Sequence, residues 1–169
     1  MFPYDRRRWQ NFLRSAMVCD HMETSLSPSR RHGLTHPCLI VEIPGYQVYR
    51  LYRLGKAGAG VCAYVKCTLK VKILKDLTEI SESGLHQLWI QVQNKKLCSL
   101  LVSVVYRSPE IGNPCLENEL LQMYIEALSR NKDIVLTTDL NCDLLSNNPR
   151  GEALLSFCVF VNATQLMHK

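Results

Sequence analysis

An acid–amide pair follows directly on a short apolar run in the second half of the chain. Residues 133–138 are mostly apolar or β-branched, which predicts a buried strand, and Asp139, Asn141 and Asp143 come immediately after it. Side chains two residues apart in an extended backbone leave the same face, so Asp139 and Asn141 would point together. A carboxylate beside a neutral amide suits a divalent cation and a phosphate oxygen. Asp and Asn are also typical of turns, so the residues alone leave a ligand site and an Asx-rich turn both open.

The elements around this pair predict a sheet packed by helices. Leu97 to Tyr106 is almost wholly apolar, which is typical of a central strand covered on both faces, and Leu116 to Ser129 has the apolar stripe of a helix. Asn148 and Pro149 have the residue types of an N-cap and a first helical position. Strand and helix alternate here and strands outnumber helices overall, so we predict an α/β fold, or α+β by some schemes. Ligand sites of such folds commonly lie where strands end.

The first half of the chain predicts shorter elements. A possible helix covers Arg8 to Arg14, and a short strand covers Ala16 to Cys19. Pro44-Gly45 marks a turn, and Gly55 to Gly60 is a glycine-rich hairpin turn. The strand Val61 to Lys66 follows that turn, and Leu85 to Val92 is an alternating strand. Asp20 and His21 interrupt the apolar pattern of the short strand.

The composition is that of a soluble protein with one globular domain. Hydrophobic residues make up 47% of the 169 residues and charged residues 21%. No apolar stretch approaches a membrane span, and the arginines near the N-terminus are not followed by the apolar core of a secretory signal. We therefore expect an intracellular protein, nuclear or cytoplasmic, that is not secreted and has no membrane partner.

The charge is distributed unevenly along the chain. Residues 1–75 contain 13 Lys and Arg against 4 Asp and Glu, a net charge of +9, whereas residues 76–169 contain 7 against 11, a net charge of −4. A basic half beside an acidic half fits a polyanion-binding face next to a metal-binding edge. A solvated surface with scattered charges explains the same numbers, so both interpretations stay open.

Four short motifs occur in order along the later part of the chain. They are Ile43 to Arg50 (IPGYQVYR), Lys56 to Lys66 (KAGAGVCAYVK), Val104 to Pro109 (VYRSP preceded by Val) and Thr138 to Asn141 (TDLN). Together they resemble the endonuclease domain of non-LTR (LINE-type) retrotransposons, a branch of the endonuclease/exonuclease/phosphatase family, and the agreement extends over roughly residues 40–165. The resemblance implies a partial four-layer α/β sandwich of the DNase I-like type, with mixed, mainly antiparallel sheets flanked by helices.

The same resemblance implies a role for particular residues. Asp139 would orient or deprotonate the attacking water, Asn141 would help to hold the scissile phosphate, and the hydroxyl of Tyr106 would touch that phosphate. Glu23, in the segment Met22-Glu23-Thr24-Ser25-Leu26, resembles the family's metal-binding glutamate. The implied cofactor is Mg²⁺ and the implied partner is DNA. From the residues alone, Tyr106 is equally the polar end of an apolar strand and Glu23 a loop glutamate.

The chain also departs from the family pattern. The closing Ser-Asp-His motif does not occur, and Thr138 stands where the family's box has glycine. We predict an irregular segment at residues 1–39, which could hold the remnant of the metal-glutamate strand, and a partial domain at residues 40–169. The resulting expectation is a truncated retrotransposon endonuclease with little or no activity. The alternative is a nucleic-acid-binding or interaction module without catalysis.

Overall fold

Two β-sheets pack against each other through a shared apolar core. The computed structural model describes residues 17–21, 42–52, 60–94, 97–131, 133–144 and 148–164. Predictions for the helix at residues 8–14, for Glu23, for most of the glycine-rich turn and for the boundary at residue 39 lie outside these ranges. Among the residues described, no helix is long and apolar enough to cross a membrane.

Sheet A has three strands in the order β1-β3-β2, and both pairings are antiparallel. The strands are β1 (Met17–His21), β2 (Tyr46–Tyr52) and β3 (Gly60–Lys66). The predicted turn precedes β2, where Gly45 has a φ of +82°. Strand β1 continues through Asp20 and His21, which interrupt the apolar pattern, because its backbone pairs with β3 as far as His21 opposite Val61. Backbone pairing overrides the local apolar pattern here.

Sheet B has five strands, with β4-β6-β7-β8 in order and β5 beside β6. The strands are β4 (Lys70–Ile73), β5 (Glu79–Ile80), β6 (His86–Asn94), β7 (Leu97–Tyr106) and β8 (Ile134–Asp139). Strand β7 lies between β6 and β8 and residues 100–106 are buried, which confirms the predicted central strand. Only the β7–β8 pair is parallel among these pairings, and the helical crossover between the two strands makes that direction possible.

Helices cover the face of sheet B that points away from sheet A. A π-helical segment (Leu116–Leu120) leads into α1 (Leu121–Arg130), and α2 (Pro149–Phe160) follows β8. The predicted apolar stripe is wrong at Ile125 and Leu128, which are 52% and 41% exposed, while Ala127 is buried. The buried positions Leu116, Leu120, Tyr124 and Ala127 are spaced by three or four residues, so they form one helical face, and Ile125 and Leu128 lie outside it.

Three apolar clusters hold these layers together. The first joins β3 to the even-numbered residues of β6 and β7, and it includes Ala63, Leu88 and Tyr106. The second packs Leu85, Leu116 and Phe157 beneath the helices, and the third surrounds Trp89 and Tyr124. Trp89, which breaks the sequence alternation of its strand, is fully buried because α1 covers the second face of β6.

Candidate functional site

Three chemically active side chains occupy one rung across the central strands of sheet B. His86 of β6 is paired with Tyr106 of β7, and Tyr106 is paired with Asp139 of β8. Residues directly opposite each other on neighbouring strands project from the same face of a sheet. The rung runs from the core outward, since His86 and Tyr106 are buried and Asp139, at the end of the edge strand, is exposed. The pairing therefore brings two of the sequence-predicted site residues, Tyr106 and Asp139, to one level of the sheet.

Asn141 follows in a turn that bends back onto the end of β7. Its φ is +49°, a left-handed conformation that asparagine tolerates better than most residues. Its backbone N–H donates to Oδ1 of Asp139 at 3.2 Å, and its side-chain Nδ2 donates to the backbone carbonyl of Arg107 at 2.8 Å. This is an Asx turn, which places the backbone N–H of Asn141 on the carboxylate of Asp139 and leaves its side-chain amide at the end of β7. The turn and the site, which the sequence leaves as alternatives, are thus compatible with each other.

The bond from Nδ2 uses only part of what the Asn141 amide offers. A primary amide has two N–H donors and a carbonyl oxygen, so it can serve a further partner as donor, as acceptor or as both. The residue is exposed on the outer side of the turn. Asn141 can therefore contact a ligand and remain anchored to β7.

Arg107 is a site-region residue for which sequence reasoning predicts no role. Its side chain is fully buried, and its backbone N–H donates to the carbonyl of Asp139 at 2.9 Å. Nε donates to the carbonyl of Leu140 at 2.8 Å, Nη1 to Oδ1 of Asn113 at 3.2 Å, and Nη2 to Sγ of Cys142 at 2.9 Å. The available signal is an arginine directly after a long apolar strand, but such a residue is usually exposed.

The same guanidinium influences a second thiol. Burial raises the pKa of the Cys115 thiol, and a hydrogen bond from the Arg107 side chain, together with its positive charge, offsets part of that rise. The balance of the two effects favours the neutral thiol, because burial disfavours a charged group. The other acceptors of the Arg107 guanidinium, which are the Leu140 carbonyl, Oδ1 of Asn113 and Sγ of Cys142, are all neutral groups.

His86 is a second residue that the sequence interpretation does not include. Its ring contacts the ring of Tyr106 edge to face, with centroids 5.7 Å apart and planes at 81°. The alternation of β6 contains the signal, since His86 falls on the face shared by Leu88 and Ile90. A buried histidine at a strand end is also compatible with simple packing, so the pattern alone does not identify it.

A shallow cavity opens beside Asn141. It has a volume of about 530 Å³ and is lined by Gly112, Asn113, Asn141, Asp143, Asn148, Pro149 and Arg150. Arg150 is fixed at its rim, because Nη2 donates to the carbonyl of Pro109 at 2.6 Å. The predicted cap of α2 forms the opposite side, where Oδ1 of Asn148 accepts from the N–H groups of Arg150 and Gly151 at 2.9 and 2.8 Å. The cavity therefore has polar groups of both charge signs.

The chemistry of the donors fits a hard divalent cation. Asp139 offers carboxylate oxygens at an exposed strand end, and Mg²⁺ is commonly held by one or two carboxylates while keeping several waters. Within the described ranges, no three or more His, Cys, Asp or Glu side chains form a group that could hold a metal. Glu23, the predicted metal ligand, lies outside those ranges.

Comparison with known proteins establishes the fold. No family model and no curated protein matches the chain. Among solved structures, the chain is similar to the human Nocturnin catalytic domain with bound sulfate anion, at a TM-score of 0.57 and 12% sequence identity. The match covers 92% of this chain and 62% of that chain, so the protein spans less than two thirds of its neighbour. The two share the DNase I-like fold, which confirms the predicted partial α/β sandwich.

Proposed function

We propose that this DNase I-like domain carries a Mg²⁺-dependent site for hydrolysis of nucleic-acid phosphodiester bonds, with DNA as the substrate. The supporting observation is the common placement of Tyr106, Asp139 and Asn141. Tyr106 and Asp139 share a rung of sheet B, and the turn after β8 binds the backbone N–H of Asn141 to Asp139 and its side-chain amide to the carbonyl of Arg107, which follows Tyr106. An acid, an amide donor and a phenol at one sheet edge are suited to hold a phosphate and activate a water.

Each residue has a distinct part in the proposed reaction. The exposed Asp139 carboxylate orients the attacking water and accepts its proton. The Asn141 amide donates to a non-bridging phosphate oxygen, and the Tyr106 hydroxyl has the contact to the same phosphate that the family resemblance implies. Mg²⁺, when bound, supplies neutralisation of the charge that develops on the phosphate and on the leaving oxygen. Glu23 is the proposed additional metal ligand.

The expected activity of these 169 residues is low. They contain no Ser-Asp-His sequence, so they do not supply the histidine donor that the family resemblance implies. Loss of one donor that stabilises a transition state costs on the order of 100- to 1,000-fold in rate. We therefore expect slow nicking of DNA, not efficient cleavage.

A plasmid-nicking assay with matched acid-to-amide variants tests this function. We expect slow, Mg²⁺-dependent nicking by the wild-type chain and a rate about 100-fold lower or more for Asp139→Asn, because the amide cannot accept a proton from water. Asp76→Asn is the control, since Asp76 is an exposed carboxylate that does not line the cavity of the candidate site. It should remain within a few-fold of wild type. Equal nicking by wild type and Asp139→Asn, purified identically, would contradict the proposal.

A LINE-type retrotransposon origin is a finer part of the proposal. It is supported by the four ordered motifs between Ile43 and Asn141. The flanking genomic sequence tests it: a reading frame for a reverse transcriptase downstream supports this origin, and an unrelated gene structure contradicts it.

A second candidate function is nucleic-acid binding without catalysis. The observation that favours it is the net charge of +9 on residues 1–75, to which the exposed Lys70 and Lys72 of β4 contribute. Binding of this kind weakens steeply as salt rises, because bound cations are released from the phosphates. Salt-dependent DNA binding that is indifferent to Mg²⁺ and to Asp139→Asn, in the absence of nicking, would favour this function over hydrolysis.

A further inference from the structure

We propose that Arg107 is a positioning residue that fixes the geometry of the segment 139–142, an inference that rests on the proposed hydrolytic site. It contacts four consecutive residues of that segment. Its N–H donates to the carbonyl of Asp139, its Nε to the carbonyl of Leu140 and its Nη2 to Sγ of Cys142. Its own carbonyl accepts from the side chain of Asn141. No group of Arg107 touches the proposed substrate position, so its effect passes through the acid and the amide.

The four contacts differ in what they require of position 107. The two made by the backbone would be available to almost any residue, since they need only an N–H and a carbonyl. The contacts to Leu140 and Cys142 need a side chain with several donors in one plane, which is the geometry of a guanidinium. A third donor reaches Oδ1 of Asn113, so the same group also ties the loop after β7 to the turn after β8. A lysine, with a single ammonium, cannot hold all three acceptors in place.

The choice of a buried cation needs a reason beyond stability. Arg107 is fully buried, and its side-chain contacts described here are a carbonyl, an amide oxygen and a thiol, all of them neutral acceptors. Burial of a charge is costly, and an apolar side chain of similar size commonly stabilises a fold at least as well. A guanidinium suits a position where several acceptors must be held in a fixed arrangement, because its planar, rigid donors determine where each acceptor lies.

The turn that Arg107 contacts contains one residue, Asn141, in the left-handed backbone conformation. Asn141 has a positive φ, and the carbonyl just before it is the acceptor of Nε. With that carbonyl and the Asn141 side chain both attached to residue 107, the peptide between Asp139 and Asn141 has little freedom to rotate. Displacement of a catalytic group by about 1 Å can cost on the order of 100-fold in rate. Removal of the fork should therefore reduce turnover while leaving substrate affinity nearly intact.

The primary test uses the full chain with Arg107→Met and Arg107→Lys. Nuclear magnetic resonance of the Asn141 side-chain amide reports on the segment directly, because that amide is bonded to the carbonyl of Arg107, which both variants retain. We expect the amide protons to exchange with solvent at least about 10-fold faster in both variants, and kcat for nicking to fall about 10- to 100-fold with KM within about 3-fold. Arg130→Met, at a surface arginine at the end of α1, is the matched control and should change neither.

The outcomes separate this proposal from the proposed function. Unchanged Asn141 amide exchange in a folded Arg107→Met variant overturns the positioning role, as does full recovery of kcat by Arg107→Lys, which would indicate charge alone. Absence of nicking by the wild type counts against the hydrolytic function, but the amide exchange still decides the role of Arg107. If Arg107→Met does not fold, Cys142→Ala and Cys142→Ser decide it. The first removes the acceptor of Nη2 and should accelerate Asn141 exchange, whereas the second keeps an acceptor and should not; equal exchange in both overturns the proposal.

Discussion

Two arginines of sheet B and its helices have opposite environments, and the contrast separates two uses of the same side chain. Arg107, at the carboxyl end of β7, is fully buried and donates to neutral acceptors from two loops. Arg130, at the end of α1, is exposed and contacts two carboxylates, with Nη2 at 2.5 Å from Asp76 and 2.8 Å from Glu126. The arginine that pairs with carboxylates is therefore the exposed one, and it is the last residue of α1.

The difference shows that the number of opposite charges nearby does not measure an arginine's structural importance. Exposed ion pairs are weakened by water and salt and contribute little to folding. A buried guanidinium has already lost its hydration, so each of its hydrogen bonds is needed to compensate. We therefore expect Arg107, with no carboxylate among the acceptors described, to matter more for folding than Arg130 with two.

The largest expected effect on folding is that of Arg107→Ala. It leaves a cavity in the core beside β8 and removes the donor to the carbonyl of Leu140, which then lacks the Nε bond. Cavity formation and the loss of this bond to a buried carbonyl, which keeps only the weak thiol donor of Cys142 at 3.4 Å, together should lower the free energy of unfolding by about 3 kcal/mol. Urea denaturation followed by tryptophan fluorescence measures it, since Trp89 lies in the core. A loss no greater than that of Arg130→Ala would remove the contrast between the two arginines.

Sequence patterns identify the elements around the site better than they identify its interior. The apolar run of β7, the strand before Asp139 and the cap at Asn148 are all predicted, because each depends on neighbours in sequence. The acid–amide pair is also found this way, since both residues follow the strand directly in sequence, although the bond that anchors the Asn141 side chain to the carbonyl of Arg107 is not.

The roles of Arg107 and His86 depend on contacts distant in sequence, and no local pattern specifies them. Arg107 is buried because the turn after β8, more than 30 residues later, supplies its acceptors. His86 belongs to the site region only through its pairing with Tyr106. The exposure of Ile125 and Leu128 has a similar origin, since which apolar side chains of a helix are buried depends on where distant parts of the chain pack against it.

An intermediate loss of stability is expected at the start of α2. Asn113 connects this helix end to Arg107, because it accepts from Arg107 and donates to the carbonyl of Pro149. Asn148→Ala removes the acceptor for the N–H groups of Arg150 and Gly151, and loss of such a cap costs about 1 kcal/mol. Asn148→Ser is the control, because serine also caps helices and should recover most of the loss. Thermal unfolding of the three proteins tests the order wild type, Asn148→Ser, Asn148→Ala. Equal unfolding temperatures for the Ala and Ser variants would show that the cap does not stabilise the helix.

The smallest effect on stability is expected for the exposed ion pair between Arg130 and Asp76. The hydrogen bond from Arg130 is the main cause that lowers the pKa of the Asp76 carboxyl below its ordinary range. Because the folded-state pKa is below the unfolded one, this stabilisation is present above about pH 4 and disappears as the pH falls through the folded-state value. Asp76→Asn should therefore have a slightly lower urea midpoint than wild type at pH 6 and the same midpoint near pH 2. The difference at pH 6 should also vanish in 1 M salt, because both partners are exposed and salt screens their attraction. A difference that persists in high salt would mean that the Arg130 pair is not an ordinary surface contact, and that the contrast with Arg107 is one of degree.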